Sequence, residues 1–326
     1  MGGGAAGGFC HPPPLTPHPF AQSMKILLTG SNGLLGQKLV ALLRQQAGVT
    51  LVVTSRGANK LAGLYPDVPY VALDVTDAAQ VRQVLAQAQP THLIHTAAMT
   101  NVDECELNHE ACWRQNVTAV AHLVAACAAQ RIHLTHLSTD FVFSGETGPL
   151  AEDAVPAPVN FYGQSKLAAE RLVQASTGPW VIARTVLVYG VAHAYGRTNL
   201  VLWVRDSLRG GKRIKVVSDQ WRTPTLAEDL AQGCWLLARH AAQGIYHISS
   251  EELLTPYAMA LRVADYFGLD AGLIEQVDAS TFSQPARRPA RTGFLIGKAQ
   301  RELGYRPHTF AEGIAIVGRQ SDATAG

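Results

Sequence analysis

The 326-residue sequence has no apolar run approaching the ~18 residues a membrane span requires, so no segment of it is expected to cross a bilayer. It has no basic run of five or more residues, and its 27 Lys and Arg face 25 Asp and Glu for a formal net charge of +2. That balance offers no polyanion-binding surface, which excludes nucleic acid as an expected partner. Five cysteines (Cys10, Cys105, Cys112, Cys127 and Cys234) contain no CxxC pair and are odd in number. They fit neither a disulfide framework nor a zinc site, so no metal is expected and a reducing cytoplasm is the simplest location. Only 16% of residues are charged, whereas 47% are hydrophobic, enough apolar surface for a packed core.

At ~150 residues per domain the length suggests about two domains. Residues 1–23 are rich in Gly and Pro, lack the basic and apolar regions of a secretory signal, and read as a disordered tail ahead of Met24. Beyond Met24, short β-branched runs alternate with longer helical segments, the rhythm of a parallel sheet covered on both faces. The expected strands are Lys25–Thr29, Thr50–Thr54, Val68–Leu73, His92–Thr96, His133–Ser138 and Trp180–Thr185. Helices are expected over Leu34–Gln46, Ala78–Ala88, Asn108–Gln130 and Tyr162–Ala175. This is an α/β, doubly wound Rossmann-type pattern. After Thr185 the alternation decays, which predicts a smaller α/β lobe. The division expected is 24–185 plus 226–249 for the dinucleotide domain and 186–225 plus 250–326 for the substrate lobe.

Thr29-Gly30-Ser31-Asn32-Gly33-Leu34-Leu35-Gly36 follows the first strand and opens a helix. Glycines at this spacing allow a sharp turn, close approach of a pyrophosphate and tight helix-on-strand packing, with the helix N-terminus aimed at the phosphates. The second strand ends in Thr54-Ser55-Arg56, without the carboxylate that would bind an adenosine ribose. Arg56 can instead pair with a 2′-phosphate, the alternative being a solvated surface arginine. Asp74, taken to close the third strand, stands where an acceptor could reach the adenine amino group.

Tyr162 and Lys166 are four residues apart, which places a phenol and an ammonium on one helix face. A nearby cation favours the phenolate, so the tyrosine is expected to exchange a proton near neutral pH. Thr139, at the carboxyl end of the fifth strand, can donate a hydrogen bond to a substrate carbonyl beside the phenol. His92 and His95, three apart in a strand, face opposite ways and share no metal. Cys112 and Cys127 read as small core residues.

The glycine turn at 29–36, Thr139 and Tyr162-x-x-x-Lys166 together resemble the extended short-chain dehydrogenase/reductases. Within them, Ala97-Ala98-Met99-Thr100-Asn101-Val102-Asp103, Ser138-Thr139-Asp140-Phe141-Val142-Phe143-Ser144-Gly145, Asn160-Phe161-Tyr162-Gly163, Ser218-Asp219-Gln220 and Pro224-Thr225 resemble the dTDP-4-dehydrorhamnose reductase family. The resemblance implies Tyr162 as proton donor, Lys166 on the nicotinamide ribose and lowering the tyrosine pKa, and Thr139 polarising the substrate carbonyl. It implies a cofactor site at Gly30, Asn32, Gly33, Leu34, Gly36, Arg56, Asp74, Val75, Ala97, Ala98, Tyr162 and Lys166, holding NADPH, with NADH as the alternative. A nucleotide-diphospho-sugar would meet Thr100, Asn101, Thr139, Asp140, Leu187 and Arg222. It also implies that Asn116 orders a water near Lys166, and it is compatible with a homodimer.

Three positions depart from the family. Leu187 replaces a tryptophan that would line the sugar pocket, Arg222 replaces a glycine, and Arg288-Pro289-Ala290-Arg291-Thr292 replaces Arg-Pro-x-Asn-Ser. Arg222 could bind a diphosphate bidentately or pair with Asp219. The reaction expected is NADPH-dependent reduction of a nucleotide-linked 4-keto-6-deoxy sugar, dTDP-4-dehydrorhamnose to dTDP-L-rhamnose, a step of dTDP-rhamnose biosynthesis. The alternatives are a sugar-nucleotide epimerase that keeps NAD bound and a non-catalytic NADP-binding subunit like the regulatory subunit of methionine adenosyltransferase. Dehydration is disfavoured because Thr139-Asp140 is followed by Phe141 where dehydratases of this type have a glutamate.

Overall fold

The computed structural model describes residues 23–193 and 198–323. Of the tail expected over 1–23, all but Ser23 lies outside them, as does Cys10. Strand β1 (Met24–Thr29) buries Ile26 and Leu28 on one face and Leu27 on the other. β2 (Val49–Ser55) repeats this with Leu51 and Val53 opposite Val52. Strands apolar on both faces need helices on both faces.

The sheet continues with β3 (Tyr70–Ala72), β4 (His92–His95), β5 (His133–Thr139) and β6 (Trp180–Thr185). The short β7 (Val188–Tyr189), β8 (Ile214–Val217) and β9 (Thr225–Leu226) lie outside it, before β10 (Gly244–His247) returns to its edge. The order is β10-β6-β5-β4-β1-β2-β3, parallel throughout. This is the doubly wound sheet that the sequence predicts, with β10 as seventh strand. The direction in which successive strands are added reverses between β1 and β4, the topological switch point at whose carboxyl edge such folds bind ligands.

Connecting helices are α1 (Leu34–Leu43), α2 (Ala78–Ala88), the short α3 (Val102–Leu107) and α4 (His109–Trp113), α5 (Ala119–Gln130) and α6 (Phe161–Gln174). They are followed by α7 (Leu200–Arg209), α8 (Ala227–Arg239), α9 (Pro256–Tyr266), α10 (Gly297–Leu303) and α11 (Phe310–Ala323). Side chains of α1, α8 and α10 fill the core on one face, and those of α2, α5 and most of α6 fill it on the other. A separate cluster joins α7, α9 and α11 to β8 and to β11 (Ile274–Val277), which pair with each other.

Two expected elements differ. The strand expected over Val68–Leu73 is only Tyr70–Ala72, so Asp74 lies two residues past its end. The single helix expected over Asn108–Gln130 is α4, a π turn at Arg114–Thr118, and α5. Asn108 caps α4 by accepting from Ala111 N, and the wider turn carries Asn116 inward. Such π turns recur at functional sites.

Candidate active site

At the end of β1, Gly30 has φ +75°, and a Cβ there would lie 2.7 Å from Thr96 Oγ1 and 2.8 Å from Ala97 N. Only glycine fits. A Cβ on Gly36 would press into the Gly30 carbonyl and lie 2.7 Å from Ser31 Cα, so α1 packs directly on the turn. Gly33 is the N-cap of α1 and no side chain caps the helix, which leaves the first-turn amides, beginning at Leu34, open to an anion. A pyrophosphate fits this cradle.

Asn32 ties the turn to the loop after β2. Its amide donates to Ser55 Oγ (2.6 Å) and Ala58 O (3.0 Å), and its carbonyl accepts from Lys60 N (3.0 Å). Arg56 stands exposed in that loop, with no hydrogen bond or ion pair among the described residues. Asp74 Oδ1 accepts from Thr76 N (2.9 Å) and Thr76 Oγ1 (2.8 Å), while Val75 buries its side chain in the core and has only its backbone to offer a ligand. Ala97 and Ala98 continue from β4 alongside the glycine turn.

Thr139 ends β5, and Tyr162 and Lys166 reach it from α6. Asn160 starts that helix by accepting from Gly163 N at 2.8 Å, and Gly163 packs so closely on the Phe141 carbonyl that a Cβ would collide with it. Asn160 Nδ2 donates to Arg287 O (2.8 Å), which fastens the helix start to the C-terminal segment. Lys166 is buried and donates from Nζ to Leu137 O at 2.6 Å. Burial lowers its pKa to about 8, with Glu170 one turn on opposing the shift. Glu170 is in turn held by Arg184 through two hydrogen bonds of 2.7 and 2.9 Å in the core.

Burial pushes the Tyr162 phenol above its ordinary pKa, and a hydrogen bond with Thr139 pulls it partly back. The lowering by Lys166 expected from the sequence is not among the forces on the phenol; Asp140, Cys105 and Cys112 add to the rise. The phenol is therefore held protonated, the form a proton donor needs. Thr139 Oγ1 donates to Asp140 Oδ1 (3.0 Å) and accepts from Phe141 N (3.2 Å). A hydroxyl has one proton, and here Asp140 Oδ1 takes it, so turning Thr139 toward a substrate carbonyl means giving up that bond.

Asn116 accepts from Met99 N (2.8 Å) and donates to Met99 O and Ser165 Oγ (both 3.0 Å), locking the loop after β4 to α6. Cys112 and Cys127 are buried as expected.

Among the expected substrate residues, Thr100 and Asn101 are exposed beyond the carboxyl end of β4, and Asn101 also caps α3 by accepting from Glu104 N at 3.3 Å. Leu187 is 38% exposed, with φ +38°. Two of the expected substrate residues are buried. Asp140 is buried with both carboxylate oxygens occupied, Oδ1 by Thr139 and Oδ2 by Thr292 Oγ1. Arg222 is buried too, donating to the carbonyls of Trp221 (2.7 Å), Ala290 (3.2 Å) and Pro289 (2.6 Å) and to Gln220 Oε1 (3.4 Å). Asp219, the carboxylate expected as the alternative partner of Arg222, instead accepts from Ala279 N. Thr292 was the partner the sequence did not reveal: its only signal was a hydroxyl in place of the family's serine.

Among the described residues no three His, Cys, Asp or Glu cluster to hold a metal, and no helix is long and apolar enough to cross a membrane.

Residues 24–321 match the RmlD substrate binding domain family. The chain is 35% identical over 284 residues to the dTDP-4-keto-6-deoxy-D-glucose reductase of Streptomyces niveus, covering 86% of this chain and 91% of that protein. It is 33% identical over 299 residues to the "Probable low-salt glycan biosynthesis reductase Agl14" of Haloferax volcanii, covering 90% and 97%. The crystal structure of the dTDP-4-dehydrorhamnose reductase of Bacillus anthracis in complex with NADP superimposes with a TM-score of 0.79 at 25% identity, covering 92% of this chain and 100% of that one.

Proposed function

We propose a function from one premise: the chain belongs to the RmlD substrate binding domain family, the family of the dTDP-4-dehydrorhamnose reductases. It is an NADP-dependent oxidoreductase, a reductase of a sugar nucleotide. The finer reading is that it reduces the 4-keto group of dTDP-4-dehydrorhamnose to give dTDP-L-rhamnose. The observation that supports it best is the convergence of Thr139, Tyr162 and Lys166 at the carboxyl edge of the sheet, beside a glycine cradle that fits a dinucleotide.

Bound NADPH supplies the hydride that goes to the sugar C4. Tyr162, held protonated by burial, gives its phenol proton to the C4 oxygen, which becomes the hydroxyl of the product. Lys166, fixed by Leu137 O, offers its remaining N–H groups to the nicotinamide ribose. The amides opening α1 receive the pyrophosphate, and Arg56 receives the 2′-phosphate. Glycosyl contacts fall to the lobe of residues 186–225 and 250–326, in which Leu187 is exposed.

The test is NADPH oxidation across a panel of nucleotide-linked 4-keto sugars. Stoichiometric oxidation with dTDP-4-dehydrorhamnose is the expected result. Sugar inversion without net cofactor consumption would mean an epimerase, and NADP binding without turnover of any panel member would mean a binding subunit.

A further inference from the structure

We propose that Tyr70 and Ser55 are positioning residues for cofactor selection: with Asn32 they form a directional chain of hydrogen bonds that holds the loop presenting Arg56; this rests on the reading of Arg56 given above. An exposed arginine loses side-chain freedom when it grips a phosphate, and a fixed backbone beneath it limits that loss. Packing does not fix this backbone. Residues 56–58 form a bend outside any strand or helix, all three exposed, and a Cβ on Gly57, which has φ +75°, would meet nothing within 4 Å. Hydrogen bonds hold the loop instead.

The direction of each bond follows from its partners. Lys60 N–H donates to Asn32 Oδ1 (3.0 Å), which orients the side-chain amide so that its two Nδ2 protons go to Ser55 Oγ (2.6 Å) and Ala58 O (3.0 Å). Ser55 Oγ accepts there, so its own proton is free for Tyr70 Oη at 3.0 Å. Tyr70 Oη, accepting from Ser55, passes its one proton to a carbonyl. Two are in reach, Ser55 O (3.0 Å) and Gly57 O. Ser55 O already receives Leu73 N–H at 3.0 Å, so Gly57 O is the end of the chain. Tyr70 is a firm anchor for it, because it lies in β3 opposite Val53 of β2 and its ring packs on the core. The chain thus runs from the glycine turn, through Ser55 and Tyr70, to the residue that follows Arg56. Loss of one hydroxyl leaves its neighbours unsatisfied and the loop free to move.

The experiment is a double-mutant cycle with Tyr70→Phe and Arg56→Ala, read by fluorescence titration as Kd for NADPH and for NADH. Tyr70→Phe should weaken NADPH by about 3- to 10-fold, the worth of one hydrogen bond, and leave NADH within about two-fold. In the Arg56→Ala background it should leave the ratio of the two Kd values unchanged, because both residues act through one contact. Equal weakening of both cofactors, which a merely structural role predicts, or the same loss of preference with and without Arg56, would overturn the inference. So would a preference that Arg56→Ala removes and Tyr70→Phe leaves intact. A wild-type ratio near one, or one that Arg56→Ala does not change, would instead overturn the reading of Arg56 and this inference with it. Should Tyr70→Phe not fold, Ser55→Ala replaces it by cutting the chain one link earlier: the ratio should shift the same way, and an unchanged ratio would sink the proposal.

Discussion

The ammonium of Lys166 donates to the main-chain carbonyl of Leu137 at 2.6 Å, stitching α6 to β5 two residues before Thr139. One N–H is therefore spent on the fold and the others remain for a ligand. The contact gives the lysine a double duty. It sets the register between the helix that carries Tyr162 and the strand that carries Thr139, and it buries a cation whose pKa is lowered to about 8.

That lowered value fixes a pH signature. Between about 8 and the ordinary 10.5 the unfolded chain holds a proton that the folded chain has released, so stability rises with pH through this window. The rise should amount to about 3 kcal/mol at most. Urea unfolding of the free protein from pH 7.5 to 10.5 should show it, and Lys166→Met should flatten it. In kcat/KM for NADPH the same group should give a descending limb near pH 8 as the ammonium is lost, since that ratio reports the free enzyme. A profile with no limb below pH 10 would contradict the burial of the charge.

Tyr162→Phe should lower kcat by about 10²–10⁴-fold, the usual contribution of general acid catalysis, and leave NADPH affinity nearly unchanged. Because burial holds the phenol above its ordinary pKa, loss of the tyrosine proton should not limit wild-type kcat anywhere below pH 9. Steady-state rates with fluorescence titration of NADPH separate the two quantities. Near wild-type turnover in the phenylalanine variant would remove Tyr162 from the chemistry.

Much of the fold was legible because it is written in periodicity. The run Ile26, Leu27, Leu28 is apolar on both faces, and glycines follow it where the chain must turn, so β1 and α1 could be placed from the sequence. α3 was missed because its six residues lie between Asn101 and Asn108 and are too few to show a period. The π turn at Arg114–Thr118 was missed because its residues suit an α-helix, and what widens the turn is the pull of Met99 and Ser165 on Asn116. Within the site, Tyr162 and Lys166 are linked by helix geometry and could be paired. The burial of Arg222 could not be read: the partners of that side chain at Asp140, Pro289 and Ala290 are brought to it only by tertiary structure, and a buried arginine looks like a surface one in a sequence.

Arg56 is the residue proposed to set cofactor choice. Exposed and without a partner among the described residues, it is free to meet a 2′-phosphate, whereas the loop around it is fixed by Asn32. The protein should prefer NADPH to NADH, and Arg56→Ala should reduce that preference by roughly 1.5–3 kcal/mol, the worth of a charge-assisted hydrogen bond. The comparison is kcat/KM with each cofactor in both proteins. Equal use of the two by the wild type would leave Arg56 as a solvated surface residue.

Leu187 is the residue proposed to shape the sugar pocket. It is 38% exposed and sits in the left-handed region at φ +38°, beside the buried Tyr189, Pro224 and Met259. A leucine in this position covers less of a sugar ring than the tryptophan it replaces, so the wild type should accept related 4-keto sugars beside dTDP-4-dehydrorhamnose. Leu187→Trp should favour the rhamnose precursor more strongly, by on the order of 1 kcal/mol in relative kcat/KM. Backbone strain is present in both proteins, since neither side chain suits a positive φ, and therefore cancels in the comparison. Were the side chain packed in the core, tryptophan would overpack the lobe and lower Tm without reordering the substrates. Its exposure argues for the first outcome, and measuring Tm together with kcat/KM over the panel distinguishes them: unchanged substrate ratios with a lower Tm would take Leu187 out of the pocket.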